Sequence, residues 1–151
     1  MSDTFKVFAA KFKALRLRGK PCTEQEVTEL EEAVDLSLPV AFRAYLLHSG
    51  KVPDAMFTGS SCSYGDLFKL REGAEELLED NNQPFKLPER AFVFWMHQGY
   101  QFAYFVADGK SDNPTVHYYL EGNEKAQQVA ESFTQWVEKY VADYQKLKTW
   151  R

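Results

Sequence analysis

Ala91-Phe92-Val93-Phe94-Trp95-Met96, followed by His97-Gln98-Gly99 and then Tyr100-Gln101-Phe102-Ala103-Tyr104-Phe105-Val106, constrains this chain more than any other stretch. Its β-branched and aromatic residues read as two strands joined by a short turn at Gln98-Gly99. Side chains on a strand alternate between faces. That alternation puts Phe92, Phe94 and Met96 on one face and Val93 and Trp95 on the other. A strand apolar on both faces is central and at least partly covered on both sides. The hairpin therefore requires partner strands at its edges and helices over a face.

The rest of the sequence can supply them. With 151 residues, 44% of them hydrophobic and 15% aromatic, the chain has the size and composition of one ordered domain. A formal charge of −4 repels nucleic acid rather than attracting it. Cys22 and Cys62 form no CxxC pair and read as two free thiols in a reducing compartment. No run approaches the length of a membrane span. Lys6 and Lys11 interrupt the place where a secretion signal would lie, so a cytoplasmic location is expected.

Phe5, Phe8, Phe12 and Leu15 recur at helical spacing and predict a short amphipathic helix ending near Gly19. Residues 1–20 hold six basic residues against one acid and read as a basic N-terminal helical extension of a single domain spanning 1–151. Thr23 and Glu26 have capping-box spacing, and Val27, Leu30 and Val34 follow as an apolar stripe. Residues 21–35 carry six acids and no base. Such a run is either a solvated helix face or a docking surface for a basic partner. Leu36-Ser37-Leu38-Pro39 breaks this helix, and Phe42, Tyr45 and Leu46 predict another that stops at Gly50.

Residues 51–66 are rich in turn formers and either hide a short strand or form part of a binding rim. Leu67–Leu70 reads as a brief edge strand, and Glu72 to Asp80 as a short acidic helix. After turns at Asp108-Gly109 and Ser111–Pro114, Thr115–Leu120 makes a third strand of an antiparallel meander. Ala126, Val129, Phe133, Trp136, Val137, Tyr140 and Tyr144 trace one long C-terminal helix, in which Trp136 is the expected key side chain. The expected fold is α+β, an antiparallel or mixed sheet with the N-terminal helices and the long C-terminal helix packed mainly on one side.

Motifs for chemistry are missing. His48, His97 and His117 have no metal-ligand spacing, and no GxSxG, P-loop or GxGxxG is present. Exposed tyrosines on a sheet can stack bases, but residues 91–120 contain a single base, Lys110. Partly exposed tyrosines suit protein contact instead. The candidate protein-binding surface is therefore polar and acidic: Glu24, Glu29 and Glu32, then Asp54, Ser60, Tyr64 and Asp66, then Glu75 and Glu79.

Four pieces in order resemble the SMI1/KNR4 family, also called the SUKH superfamily: Thr23–Glu31; Leu38–Gly50; Phe92–Phe94 with Gly99–Phe102 and Asn113–Tyr119; and Glu131–Val137. Leu38, Pro39, Phe42, Tyr45, Leu46, Gly50, Phe94, Gly99, Pro114, Val116, Tyr118, Ser132, Phe133 and Trp136 carry the likeness as structural positions. The resemblance spans roughly residues 22–140 and leaves the basic first helix outside the family core. It implies an α+β, non-catalytic domain that needs no cofactor or metal and works by binding protein. Bacterial members are largely immunity proteins that neutralise toxins, often nucleases or deaminases, and fungal relatives act in cell-wall regulation. An immunity protein for a cognate toxin domain is the expected role; a housekeeping or regulatory interaction module is the alternative, and a small-ligand binder or enzyme a further one. Direct nucleic-acid binding is not expected, and no oligomeric state follows from the sequence.

Overall fold

In the computed structural model, which describes residues 2–149, six α-helices and five strands alternate in three blocks. Three helices come first: α1 (Asp3–Ala14), α2 (Glu24–Val34) and α3 (Val40–Ser49). A 3₁₀ turn (Ala55–Phe57), the two-residue β1 (Ser60–Ser61), α4 (Tyr64–Leu67) and α5 (Leu70–Asp80) follow. Then come β2 (Ala91–His97), β3 (Gln101–Val106), β4 (Val116–Leu120), β5 (Gln127–Ala130) and α6 (Phe133–Thr149). The five strands form one antiparallel meander in the order β1-β2-β3-β4-β5.

Local chemistry starts several of the helices. The capping box of α2 is realised: Glu26 N donates to Thr23 Oγ1 at 3.1 Å and Thr23 N to Glu26 Oε1 at 2.9 Å. Pro39 sits at the N-cap of α3, where no N–H is needed. Gly50 ends α3 at a close approach, because a Cβ there would lie 2.5 Å from Leu46 Cδ2. Between β2 and β3, Gln98 (φ 50°) and Gly99 (φ 77°) both take left-handed conformations, the signature of a tight hairpin turn whose twist matches its strands.

The face assignment of β2 differs from simple alternation. The register with β3 shifts between Val93 and Trp95, so one extra residue enters the strand. Trp95 thereby joins Phe92 and Phe94 on one face, while Met96 joins Val93 on the other. Ring contacts agree: Phe94 and Trp95 both meet Trp136, with centroids 4.8 and 6.0 Å away.

The first face is closed by α3 and α6 through one aromatic cluster. Phe42 lies 5.3 Å from Phe92, 5.2 Å from Phe105 and 5.1 Å from Phe133. Phe133 also meets Phe94 at 5.2 Å and Tyr45 at 5.7 Å. The second face is covered too. Gly73 of α5 sits over Met96, and Phe85 stacks on Tyr119 with centroids 6.4 Å apart. This is what a first strand apolar on both sides demands.

Two elements differ from the sequence expectation. Leu67–Leu70 is no edge strand: it is the junction of α4 and α5, with Leu67 and Leu70 beginning the buried helical stripe that Ala74, Leu77 and Leu78 continue. Residues 127–130 do not belong to the C-terminal helix but form β5, pairing Val116 with Ala130 and Tyr118 with Gln127. The break falls at Ser132, whose Oγ accepts from Gln135 N at 3.1 Å and starts α6 afresh. Asn113 braces the same turn, accepting from Thr134 N at 3.1 Å and donating to Thr134 Oγ1 at 2.8 Å.

The first twenty residues are tied in by both side chain and backbone. Phe12 is fully buried, edge-on to Tyr45 at 5.7 Å. Lys20 N donates to Val52 O at 2.9 Å, Lys51 N to Lys20 O at 2.9 Å, and Arg18 N to Asp54 Oδ2 at 2.6 Å. Truncating an enclosed aromatic costs about 3–5 kcal/mol. Phe133 is 1% exposed whereas Trp136 is half-buried. Phe133→Ala is therefore expected to lower the urea midpoint more than Trp136→Ala, and Phe12→Ala to cost nearly as much. A wild-type midpoint for Phe12→Ala would show the first helix to be an appendage.

Candidate protein-binding surface

The acids of α2 divide into those the fold uses and those it leaves in water. Glu26 caps its own helix and pairs with Lys51 Nζ at 2.5 Å. The Lys51 hydrogen bond, helped by Thr23, holds its carboxyl below the ordinary carboxylate value, and the same pair raises Lys51. Glu31 Oε2 accepts from Leu38 N at 2.7 Å and its other oxygen lies 4.0 Å from Arg43. Glu24, Glu29 and Glu32 are exposed, and no basic group lies within ion-pair distance of them among the described residues.

Opposite α2 stand α4 and α5. Ser63 and Asp66 form a second capping box that opens α4. Tyr64 reaches across, its hydroxyl donating to Glu26 O at 3.0 Å. Burial first, then the charges of Glu29 and Glu26, pushes that hydroxyl's pKa up. Phe68 packs edge-on against Tyr64 at 5.1 Å and remains 38% exposed. Arg71 ties α5 to the approach to β2: Nε donates to Glu75 Oε1 at 2.7 Å, and Nη1 lies 3.0 Å from the carbonyl oxygens of Pro88, Glu89 and Ala91.

Between these walls runs a groove of about 410 Å³, bounded by Val34 and Leu36 on one side, Phe68 and Glu72 on the other, with Phe92 and Val93 at its floor. Glu75 lines it too, and together with Glu79 borders an adjoining hollow of about 280 Å³. The fold thus brings Glu29, Tyr64 and Glu75 to one region. It sends Glu24 to a separate hollow beside Ser2 and Phe5. Asp54 lies elsewhere, beside Arg18 and Tyr144. Its carboxylate accepts from Arg18 N and from Met56 N, which caps the 3₁₀ turn. Ser60 lies in the short strand hidden in the turn-rich segment, its Oγ 2.9 Å from His97 Nδ1. Asp66 is exposed but occupied in its cap. Sequence reasoning did not single out Phe68, Glu72 or Leu36. The signal for Phe68 is an aromatic residue at the seam of two short helices, legible only once 67–70 is known to be helical.

The histidines are spread over the molecule. His97 stacks on Trp95 at 5.8 Å on the face toward α6, while His117 pairs across strands with Tyr104 and stacks on it at 5.1 Å on the opposite face. Among the described residues no group of three or more His, Cys, Asp or Glu is placed to hold a metal ion. Cys22 and Cys62 are buried free thiols.

The model of the SMI1/KNR4 family (SUKH-1) matches residues 21–139. The chain belongs to the SMI1/KNR4 family. No curated protein matches it. The matched span takes in the whole sheet, α2 to α5, and the start of α6, but not α1. The family-type positions in it are scaffold: Phe42, Tyr45, Leu46, Phe94, Val116 and Phe133 lie in the core. Leu38 and Pro114 are also buried, Ser132 caps α6, and half-buried Tyr118 donates its hydroxyl to Gln101 Oε1. No helix of the described residues is long and apolar enough to cross a membrane.

Two titrations follow from these environments. Burial lowers His48 and His117 below the ordinary 6.5. A histidine held neutral by folding contributes stability that is complete above its unfolded pKa and lost as pH falls through the folded one. The urea midpoint should therefore drop as pH falls below the ordinary 6.5, and His48→Gln with His117→Gln should flatten that slope; an unchanged slope would assign the acid sensitivity to other groups. Burial, reinforced by Glu26, pushes the Cys22 thiol up to about 11. Burial, reinforced by Asp66, pushes Cys62 up to about 12. Both should resist a thiol-specific reagent at about pH 8 until the protein is unfolded, since only the thiolate reacts. Rapid labelling of native protein would contradict the enclosed environment.

Proposed function

We propose that this SMI1/KNR4 protein is a non-catalytic, protein-binding domain of the immunity type, which neutralises a cognate toxin domain by covering its active site or the approach to it. Family membership supports a protein partner. The observation that carries the choice of surface is the unneutralised acidic face: Glu29 and Glu32 on α2, and Glu72 and Glu79 on α5, are without ion-pair partners among the described residues. Such a face complements the basic surface with which a nuclease holds its own anionic substrate, and it steers encounter more than it holds the complex. Because rim charges act over roughly a Debye length, about 8 Å at physiological ionic strength, their contribution fades in salt.

Survival of cells expressing a toxin encoded beside this gene, with and without this chain, tests the role. Capture of that toxin from the co-expressing cells tests the contact. In the resulting complex, Glu29→Lys with Glu32→Lys is expected to slow association several-fold at low salt and far less at high salt. Equal association rates for wild type and variant at both salts would remove the α2 face from the interface.

A further inference from the structure

Resting on that reading, we propose that the groove between α2 and α5 is the anchor point of the protein partner. It takes a cationic side chain, arginine or lysine, presented on an exposed segment of that partner. The groove combines three features that one such side chain matches at once. Val34, Leu36 and Leu67 give it apolar lining that suits the aliphatic stem of a long basic side chain. Phe68 offers an aromatic surface at 38% exposure. A cation over an aromatic face is held by the ring quadrupole. Its rim is negative: Glu72, Glu75 and Glu89 all line the opening.

Charge complementarity is decided by Arg71, the cation within the groove. Its guanidinium is committed to Glu75 and to three backbone carbonyls, so it cancels Glu75 and leaves Glu72 and Glu89 without ion pairs among the described residues. The site is also set in advance. Tyr64 packs perpendicular to the Phe68 ring and is itself fixed by its bond to Glu26 O, so little side-chain freedom remains to be lost on binding. On the α2 wall, Ala33 lines the groove and Glu29 lies one turn earlier on the same helix edge. The steering surface and the anchor are thus continuous.

The probe is a flexible Gly-Ser peptide carrying three arginines, titrated into the isotope-labelled full chain and followed by amide chemical shifts. Matched peptides carrying three glutamates or three serines, and the polyamine spermidine, are the comparisons. Shift changes are expected to concentrate at residues 33–36, 67–75 and 89–93 with the arginine peptide and not with its glutamate or serine counterparts. Phe68→Ala and Glu72→Gln should each weaken the binding roughly threefold or more, while Glu124→Gln, in the turn between β4 and β5 at the other end of the sheet, should leave it unchanged. Changes centred elsewhere, equal binding of the serine peptide, or indifference to both groove variants would overturn the assignment. Spermidine binding there as tightly as the peptide would make the site one for a small polyamine and overturn the protein anchor. Failure of the arginine peptide to bind removes the anchor alone, since neutralisation of a toxin is read independently by survival.

Discussion

The contact of Phe42 with Phe133, ring to ring at 5.1 Å, is the junction on which the architecture depends. Phe42 belongs to α3 and Phe133 to the first turn of α6, two elements separated by the entire sheet in sequence. Each also touches Phe94 and Phe105, so one aromatic cluster fixes both helices to the central strands. Edge-on geometry recurs in it, and rings so arranged attract beyond the area they bury. Phe12 enters the same cluster from α1, which makes a segment outside the family-matched residues part of the enclosed core.

Polar bonds then set the angle at which the outer elements lie. Asn113 and Ser132 fix where α6 starts. Ala41 N, at the start of α3, donates to Asp112 O at 2.9 Å and ties that helix to the same loop. On the far side of the molecule Arg71 does comparable work for α5, and Lys51 for α2. Lys51 pairs with Glu26 and Arg71 with Glu75. Glu29, Glu32, Glu72 and Glu79 of α2 and α5 are left without ion-pair partners among the described residues.

Much of this was legible in residue order. The capping box at Thr23, the proline start of α3, the Gln98-Gly99 turn and the three central strands each depend on chemistry within a few residues, and each stands where that chemistry places it. What failed to read was contextual. Leu67–Leu70 has a strand's composition, but Ser63 and Asp66 cap a helix turn just ahead of it. Ala126 and Val129 share the helical spacing of Phe133, but β4 offers them a free edge and Ser132 interrupts the period. The extra residue in β2 leaves no local mark, because both neighbours of the shift are as apolar as the rest of the strand.

Alone, the sequence determined that the chain makes an α+β domain with a doubly covered central strand and an acidic exterior, because periodicity, caps and turns are short-range properties of the backbone. Only the tertiary structure decided which acids remain unpaired, that Trp95 faces α6 instead of α5, and that Phe68 opens onto a groove beside Glu72. Those outcomes depend on partners tens of residues away, and ion pairing, strand register and burial are settled by neighbours in space rather than in sequence.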